Sequence, residues 1–344
     1  MTGFLSEVHE QPEAIHRAVD ALPAELKAVA PLAEKLRRGE FSSVVFTGMG
    51  SSLSAAIPAT ILLAERGIPA LALEASELLA AYRPLLGPKT LLVAASQSGE
   101  SVETARLATE LGGQVPLIGI TNTPGSTLAK ASSVHLQMHA GPEQTVSTKT
   151  YTCALAVLHL LALTLVGQPI QAACDAIHRT ADQLRDLFPK FGEQIPELGS
   201  QISPVRFIEY LGRGPSRASA ITGALITKET VKMPTEGMAG GQFRHGPWEV
   251  LESGITVCLF SGLKSARNLD LALAADVVAR GAQAIVIGPE SAPGVRHIML
   301  PDLDPVLAPI LEIVPVQLLA AELAAAKGYQ PGEFRYSGKI TRVE

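Results

Sequence analysis

Cysteine is scarce in this chain: there are three in 344 residues, Cys153, Cys174 and Cys258, each isolated in an apolar stretch. An odd number at those spacings excludes a disulfide framework and a thiolate metal site, and fits a reduced, cytoplasmic protein with inert core thiols. Aromatic residues amount to only 4%, so the Ala- and Leu-rich helices must pack closely through small side chains. Blocks of like charge are missing: 28 basic against 33 acidic side chains leave a formal net charge of −5, which argues against a nucleic-acid-binding stripe. The first twenty residues are acidic and carry no apolar core, so no signal peptide is expected. The most apolar run, Tyr151 to Val166, contains His159 and is short for a bilayer; it reads as a core or interface helix, with no membrane partner. There is no GxxxxGK[ST] run, and Gly48-Met49-Gly50-Ser51-Ser52-Leu53 lacks the third glycine of a dinucleotide fingerprint. None of the eight histidines sits at a ligand-like spacing, so neither a metal nor a cofactor is expected.

What the chain does have is apolar material, 47% of it, spread over a length that suits two domains. It also carries an internal echo. Val44-Val45-Phe46-Thr47-Gly48-Met49-Gly50-Ser51-Ser52 returns 164 residues later as Ile208-Glu209-Tyr210-Leu211-Gly212-Arg213-Gly214-Pro215-Ser216. At the same offset Leu92–Ser98 returns as Thr256–Gly262. Each stretch reads as an apolar strand that breaks into a small-residue turn before a helix.

Residues from about Phe4 to Arg38 predict two helices, with Pro12 and Pro31 as breaks. The first half then predicts strands near Ser43–Thr47, Ala70–Leu73, Leu91–Ala94, Leu117–Ile120 and His135–Gln137, with helices near Ser52–Glu65, Ala75–Ala80, Val102–Leu111 and Ser126–Lys130. A polar helix, Ile170 to Phe188, reads as the connector. The second half predicts four strands, near Val205–Leu211, Gly254–Phe260, Ala284–Ile287 and His297–Met299, and a long apolar helix from Pro305 to Lys327. Alternating strands and helices imply an α/β fold of two doubly wound parallel-sheet domains, each a three-layer α/β/α sandwich. The expected divisions are a helical segment 1–40, domains 41–190 and 191–327, and a tail 328–344.

Ligands of doubly wound sheets bind beyond the carboxyl ends of the strands. The first half places Ser51, Ser52, Ser96, Gln97, Ser98 and Ser101 there, a run of hydroxyl and amide donors without a lysine. Such donors at a helix N-terminus suit a phosphomonoester. In the second half Phe260 and Gly262 stand where Ser96 and Ser98 would be, so only the first turn retains this chemistry.

On these residues the chain resembles the sugar isomerase (SIS) domain family, and within it the tandem isomerase half of the glutamine–fructose-6-phosphate aminotransferases. The resemblance runs through Glu10-Gln11-Pro12, Gly48–Ser52, Ser96–Ser101, Thr121–Ser126, Ala140-Gly141-Pro142-Glu143, Ser147-Thr148-Lys149, Leu211–Gly214 and Gly240–Pro247 to the tail. It implies flavodoxin-like domains and a hexose 6-phosphate substrate whose phosphate is held by the serines and Gln97. It also implies a catalytic set: Glu229 moving a proton between C1 and C2, His245 opening the sugar ring from the neighbouring subunit of a homodimer, and Lys339 beside C1–C2. Glu143, in a loop one residue shorter than the family's, Lys149 and Glu236 are candidate supporting residues. An active-site lysine of the aminotransferases falls at Ile226, and no cysteine precedes Cys153 to serve as a glutaminase nucleophile. The resemblance therefore implies a metal-independent glucosamine-6-phosphate deaminase, with an aldose–ketose isomerase, a fructosamine-6-phosphate deglycase or a non-catalytic phosphosugar-binding regulator as alternatives.

Overall fold

In the computed structural model, residues 3–111, 113–336 and 338–341 are described. The chain opens with three helices, α1 (Gly3–His9), α2 (Gln11–Glu25) and α3 (Ala30–Arg37). Pro12 and Pro31 do not break helices but start them, at first-turn positions where the missing N–H has no intrahelical partner to lose. A first sheet is built from β1 (Ser43–Gly48), β2 (Ala70–Glu74), β3 (Thr90–Ser96), β4 (Leu117–Thr121) and β5 (Val134–Gln137). Its helices are α4 (Gly50–Ser54), α5 (Ile57–Ala64), α6 (Ala75–Ala80), α7 (Val102–Leu111), α8 (Thr127–Ala131) and α9 (Lys149–Leu165). The single helix predicted over 52–65 is divided because Pro58 falls in the first turn of α5.

The 32-residue helix α10 (Gln171–Ile202) runs well past the predicted end at Phe188, through Pro189 and Pro196. Each proline removes a backbone hydrogen bond, at a cost of about 3 kcal/mol in an isolated helix. Leu184, Leu187, Phe191, Ile195, Leu198 and Ile202 form one buried stripe across both prolines, and that packing offsets the loss. The second half contains β6 (Phe207–Gly212), α11 (Arg217–Val231), β7 (Thr235–Ala239), α12 (Gly240–Phe243), β8 (Ile255–Phe260), α13 (Arg267–Ala279), β9 (Gln283–Gly288), β10 (Arg296–Met299) and α14 (Ala308–Ala326). Strand β7 was not among the predicted ones: Thr-Glu-Gly-Met-Ala has no apolar run, because an edge strand paired only with β6 needs none.

The two sheets are wholly parallel and share one order, β2-β1-β3-β4-β5 in the first and β7-β6-β8-β9-β10 in the second. One compact unit, Glu10–Glu143, Lys149–Asp182 and Arg335–Glu344, contains the first sheet. Val45, Leu92, Ala94 and Leu117 of that sheet pack with Leu78, Leu107, Leu111 and Leu128 of α6, α7 and α8, while α9 packs with α2, α3 and α5. The other unit, Met1–His9, Gln144–Thr148 and Gln183–Phe334, contains the second sheet. There Leu211, Val257, Leu259 and Val286 meet Leu273, Ala274 and Val277 of α13, and α11 packs on α14. Helix α14 is long and apolar enough to cross a membrane, yet it is a buried core helix of its unit.

Candidate functional site

The turn after β3 gathers the predicted phosphate ligands. Ser96 and Ser98 are only 3% and 6% exposed. Ser96 Oγ accepts the Gly99 N–H (3.1 Å) and lies 3.3 Å from Ser101 Oγ; Ser98 Oγ accepts the Glu100 N–H (3.1 Å). Ser96 and Ser98 thus brace the turn by accepting N–H groups, and the Ser98 hydroxyl and one hydroxyl of the Ser96–Ser101 pair keep a hydrogen to donate to an anion. Ser101 immediately precedes α7, whose dipole adds positive potential at the same place. Glu100, in the middle of the motif, does different work: its carboxylate accepts the Thr127 N–H (2.7 Å) and hydroxyl (2.9 Å) at the start of α8. The Gln97 carbonyl accepts the Asn122 N–H (2.9 Å). Across from this turn, Met49 is extended (φ −125°, ψ 150°) and Gly50 has φ +53°, a left-handed conformation that a side chain would strain. Ser51 and Ser52 follow in α4, both half-buried.

The tail of the chain joins the same unit. Lys339 Nζ lies 2.6 Å from Glu143 Oε2, and the Thr341 carbonyl accepts the Val102 N–H at the start of α7 (3.2 Å). Glu143 is itself held by the Thr150 N–H (3.0 Å) and hydroxyl (2.7 Å). Its loop is pinned to the end of β4 by Asn122, which donates to the Gly141 carbonyl (2.8 Å) and accepts the Ala140 N–H (2.9 Å). Lys149 is buried and ion-paired with Glu10, so the Ser147-Thr148-Lys149 and Glu10-Gln11-Pro12 motifs meet as a buried cation and its counter-charge. Asn122 and Thr150 were missed in the sequence; Asn122 lies inside one of the motifs, but Thr150 carried no signal.

Glu229 and His245 belong to the other unit. Glu229 is half-buried near the C-terminal end of α11, which stops at Lys232 in a left-handed conformation (φ 56°). Lys232 Nζ donates to the Glu229 carbonyl and to the Glu333 carbonyl (2.5 Å), fastening the approach to the tail beside the end of α11. Lys232 was not foreseen. His245 is exposed, in a turn in which its N–H donates to the Gln242 carbonyl (2.9 Å). Glu236 is exposed on β7 in register with buried Glu209 on β6. Burial first, then the charge of Glu236, pushes the Glu209 carboxyl up to about 8. Ile226 is fully buried in α11. Among the described residues no group of three or more His, Cys, Asp or Glu side chains is arranged to hold a metal ion.

Residues 40–164 match the SIS domain family model. Over 99% of its length the chain is 36% identical to the isomerizing glutamine–fructose-6-phosphate aminotransferase of Pyrococcus horikoshii, of which it covers 58%. It therefore spans less than two thirds of that relative's length. The C-terminal domain of glucosamine-fructose-6-phosphate aminotransferase from Francisella tularensis has the same fold, with a TM-score of 0.85 at 24% identity, covering 96% of this chain and 98% of that one. So does the tagatose-6-phosphate ketose/aldose isomerase of Escherichia coli, with a TM-score of 0.81 at 22% identity, covering 97% and 96%. The chain thus carries a SIS domain over residues 40–164 and is homologous, along nearly its whole length, to the isomerase part of the glutamine–fructose-6-phosphate aminotransferases.

Proposed function

We propose that this protein is a cytoplasmic phosphosugar aldose–ketose isomerising enzyme, and that its reaction is the deamination of glucosamine 6-phosphate to fructose 6-phosphate and ammonia. The cradle after β3 supports this reading most: Ser96, Ser98 and Ser101 are gathered in one turn at the start of a helix, and the tail carrying Lys339 is tied to that helix through Thr341. Hydroxyl donors and a helix dipole hold a dianionic phosphate without a lysine, with Ser51, Ser52 and Gln97 completing the shell.

His245, supplied by the partner subunit of a homodimer, opens the ring by taking the proton of the C1 hydroxyl while the ring oxygen is protonated. Glu229 then carries the C2 proton of the open-chain aldehyde to C1, while O1 takes up a proton and the C2 amine gives one up, so that C1 becomes CH2OH and the amine becomes an imine. The Lys339 ammonium, oriented by Glu143, stabilises the negative charge that develops on O1 during this transfer. Water adds to the C2 imine, ammonia leaves, and the ketose remains. Lys149, with Glu10, supports the loop that carries Glu143; Glu236 supports the second sheet.

One feature favours release of ammonia over its capture from glutamine. A buried aliphatic side chain, Ile226, stands where the related aminotransferases carry an active-site lysine. Incubation with glucosamine 6-phosphate, without glutamine, is expected to yield ammonia and fructose 6-phosphate in equal amounts. Thermal stabilisation by the sugar phosphate with no ammonia would overturn deamination and leave the isomerase, deglycase or regulator readings. Sedimentation of the active protein as a monomer would overturn the shared His245.

A further inference from the structure

The second sheet ends in a turn with the backbone of the first. Arg213 (φ −119°, ψ 148°) and Gly214 (φ +54°) reproduce Met49 (φ −125°, ψ 150°) and Gly50 (φ +53°). Here the space ahead of the turn is filled from within the chain. Glu312, in the second turn of α14, is 1% exposed. Its Oε1 accepts from Ser216 Oγ (2.8 Å), its Oε2 accepts from Ser219 Oγ (2.6 Å), and the Gly262 N–H is a third donor to the carboxylate.

Two of these donors occupy the positions that correspond to the first cradle: Ser216 to Ser52 and Gly262 to Ser98. The glycine is explained by the acid. A Cβ on Gly262 would overlap Glu312 Oε1 and lie 2.8 Å from Ala308 Cβ, so a serine at that position and Glu312 exclude each other. The charged or titratable groups facing Glu312 are Asp270, itself paired with Arg213 (2.8 Å), and the buried Cys258 thiol. Among the described residues no basic side chain is paired with it, and its polar partners are the three donors of the turns.

We propose that Glu312 is an internal ligand of the second anion cradle, standing where a phosphate oxygen pair would sit and leaving each chain with a single phosphate-binding site. The count of one site rests on the reading of the first cradle given above; the latent second cradle does not. Removal of the carboxylate exposes a site of two hydroxyls and one N–H for a tetrahedral oxyanion.

The test is a titration with inorganic phosphate of the purified full chain, followed by calorimetry and thermal melting. Glu312→Ala is expected to gain a phosphate-binding event absent from the wild type, with a Tm increase of roughly 2–4 °C at saturation. That event should persist when Ser96→Ala and Ser98→Ala are added, whereas the wild-type response should not; the two cradles are thereby read separately. Glu312→Gln keeps the space filled and should gain nothing. A folded Glu312→Ala protein with no phosphate response beyond that of the wild type overturns the proposal. Should that variant not fold, melting of wild type and Glu312→Gln between pH 5 and pH 8.5 decides the matter. Burial pushes the Glu312 carboxyl up to about 7, so the wild type should lose Tm relative to the glutamine variant as pH rises through that value. The loss should level off above that value, where the folded state holds a carboxylate; a wild-type Tm still falling relative to the glutamine variant at pH 8.5 overturns the proposal, because Glu312 would then stay protonated and uncharged in the cradle.

Discussion

At the carboxyl end of the first sheet, Ser96, Ser98 and Ser101 are gathered in one hydrogen-bonded turn; at the same end of the second, Ser216, Ser219 and Gly262 surround the carboxylate of Glu312. The strand orders agree, and the turn dihedrals agree to within a few degrees. The backbone of an anion cradle is therefore kept by strand register and by glycine at a left-handed position, whatever fills it. A single side chain marks the difference: where the first half has Ser98, a glycine at 262 admits an acid from α14. On the proposed reading, one architecture serves recognition in one half and internal packing in the other.

The comparison is sharpened most strongly by Glu229, the proposed catalytic base. Glu229→Gln should lower kcat at least about 100-fold while leaving the thermal stabilisation by glucosamine 6-phosphate intact, since general-base catalysis contributes about 100- to 10,000-fold. Unchanged turnover would remove Glu229 from the mechanism. Next come the two hydroxyl sets. Ser96→Ala with Ser98→Ala should raise KM by more than about 100-fold, because hydrogen bonds to a charged group contribute roughly 1.5–3 kcal/mol each. Ser216→Ala with Ser219→Ala should leave KM alone and lower stability by roughly 2–4 kcal/mol, since a buried carboxylate loses two donors. If the second pair raised KM and the first did not, the two cradles would have been assigned the wrong way round.

Burial of acids gives a third comparison. Glu209 sits inside the second sheet at 2% exposure, and no described residue hydrogen-bonds its Oε1. Its carboxyl is raised to about 8 from an ordinary value of 4.5. Between those pH values the folded state holds a proton that the unfolded state has released, so stability falls as pH rises through that window. Glu209→Gln does not titrate; its Tm relative to wild type should climb from pH 5 to pH 8 and then level off. A flat difference would show that Glu209 is not the buried acid responsible. The smallest effect belongs to the turns themselves. Gly50→Ala and Gly214→Ala should each cost about 1 kcal/mol from the left-handed backbone, measured by denaturant unfolding. Equal stability of variant and wild type at both sites would contradict the dihedrals on which the likeness of the cradles rests.

Much was legible without coordinates. Short apolar runs bounded by glycine and serine located nine of the ten strands; the edge strand β7, which has no apolar run, was missed. The serine turn was readable because its ligands are close in sequence and its backbone is a local affair of glycine and strand ends. Tertiary structure decided the partnerships between distant residues: Lys339 with Glu143, Lys149 with Glu10, Lys232 with Glu333, Glu312 with Ser216 and Ser219. A lone charged residue in a sequence does not disclose its partner, since pairing depends on which distant segments packing brings within hydrogen-bond reach. The sequence by itself determined two parallel α/β sheets and one intact hydroxyl cradle, because strand periodicity, glycine turns and short-range donors are local properties. Only the fold decided that α10 runs through two prolines and that the second cradle is closed by a carboxylate, because both follow from burial against residues far away in the chain.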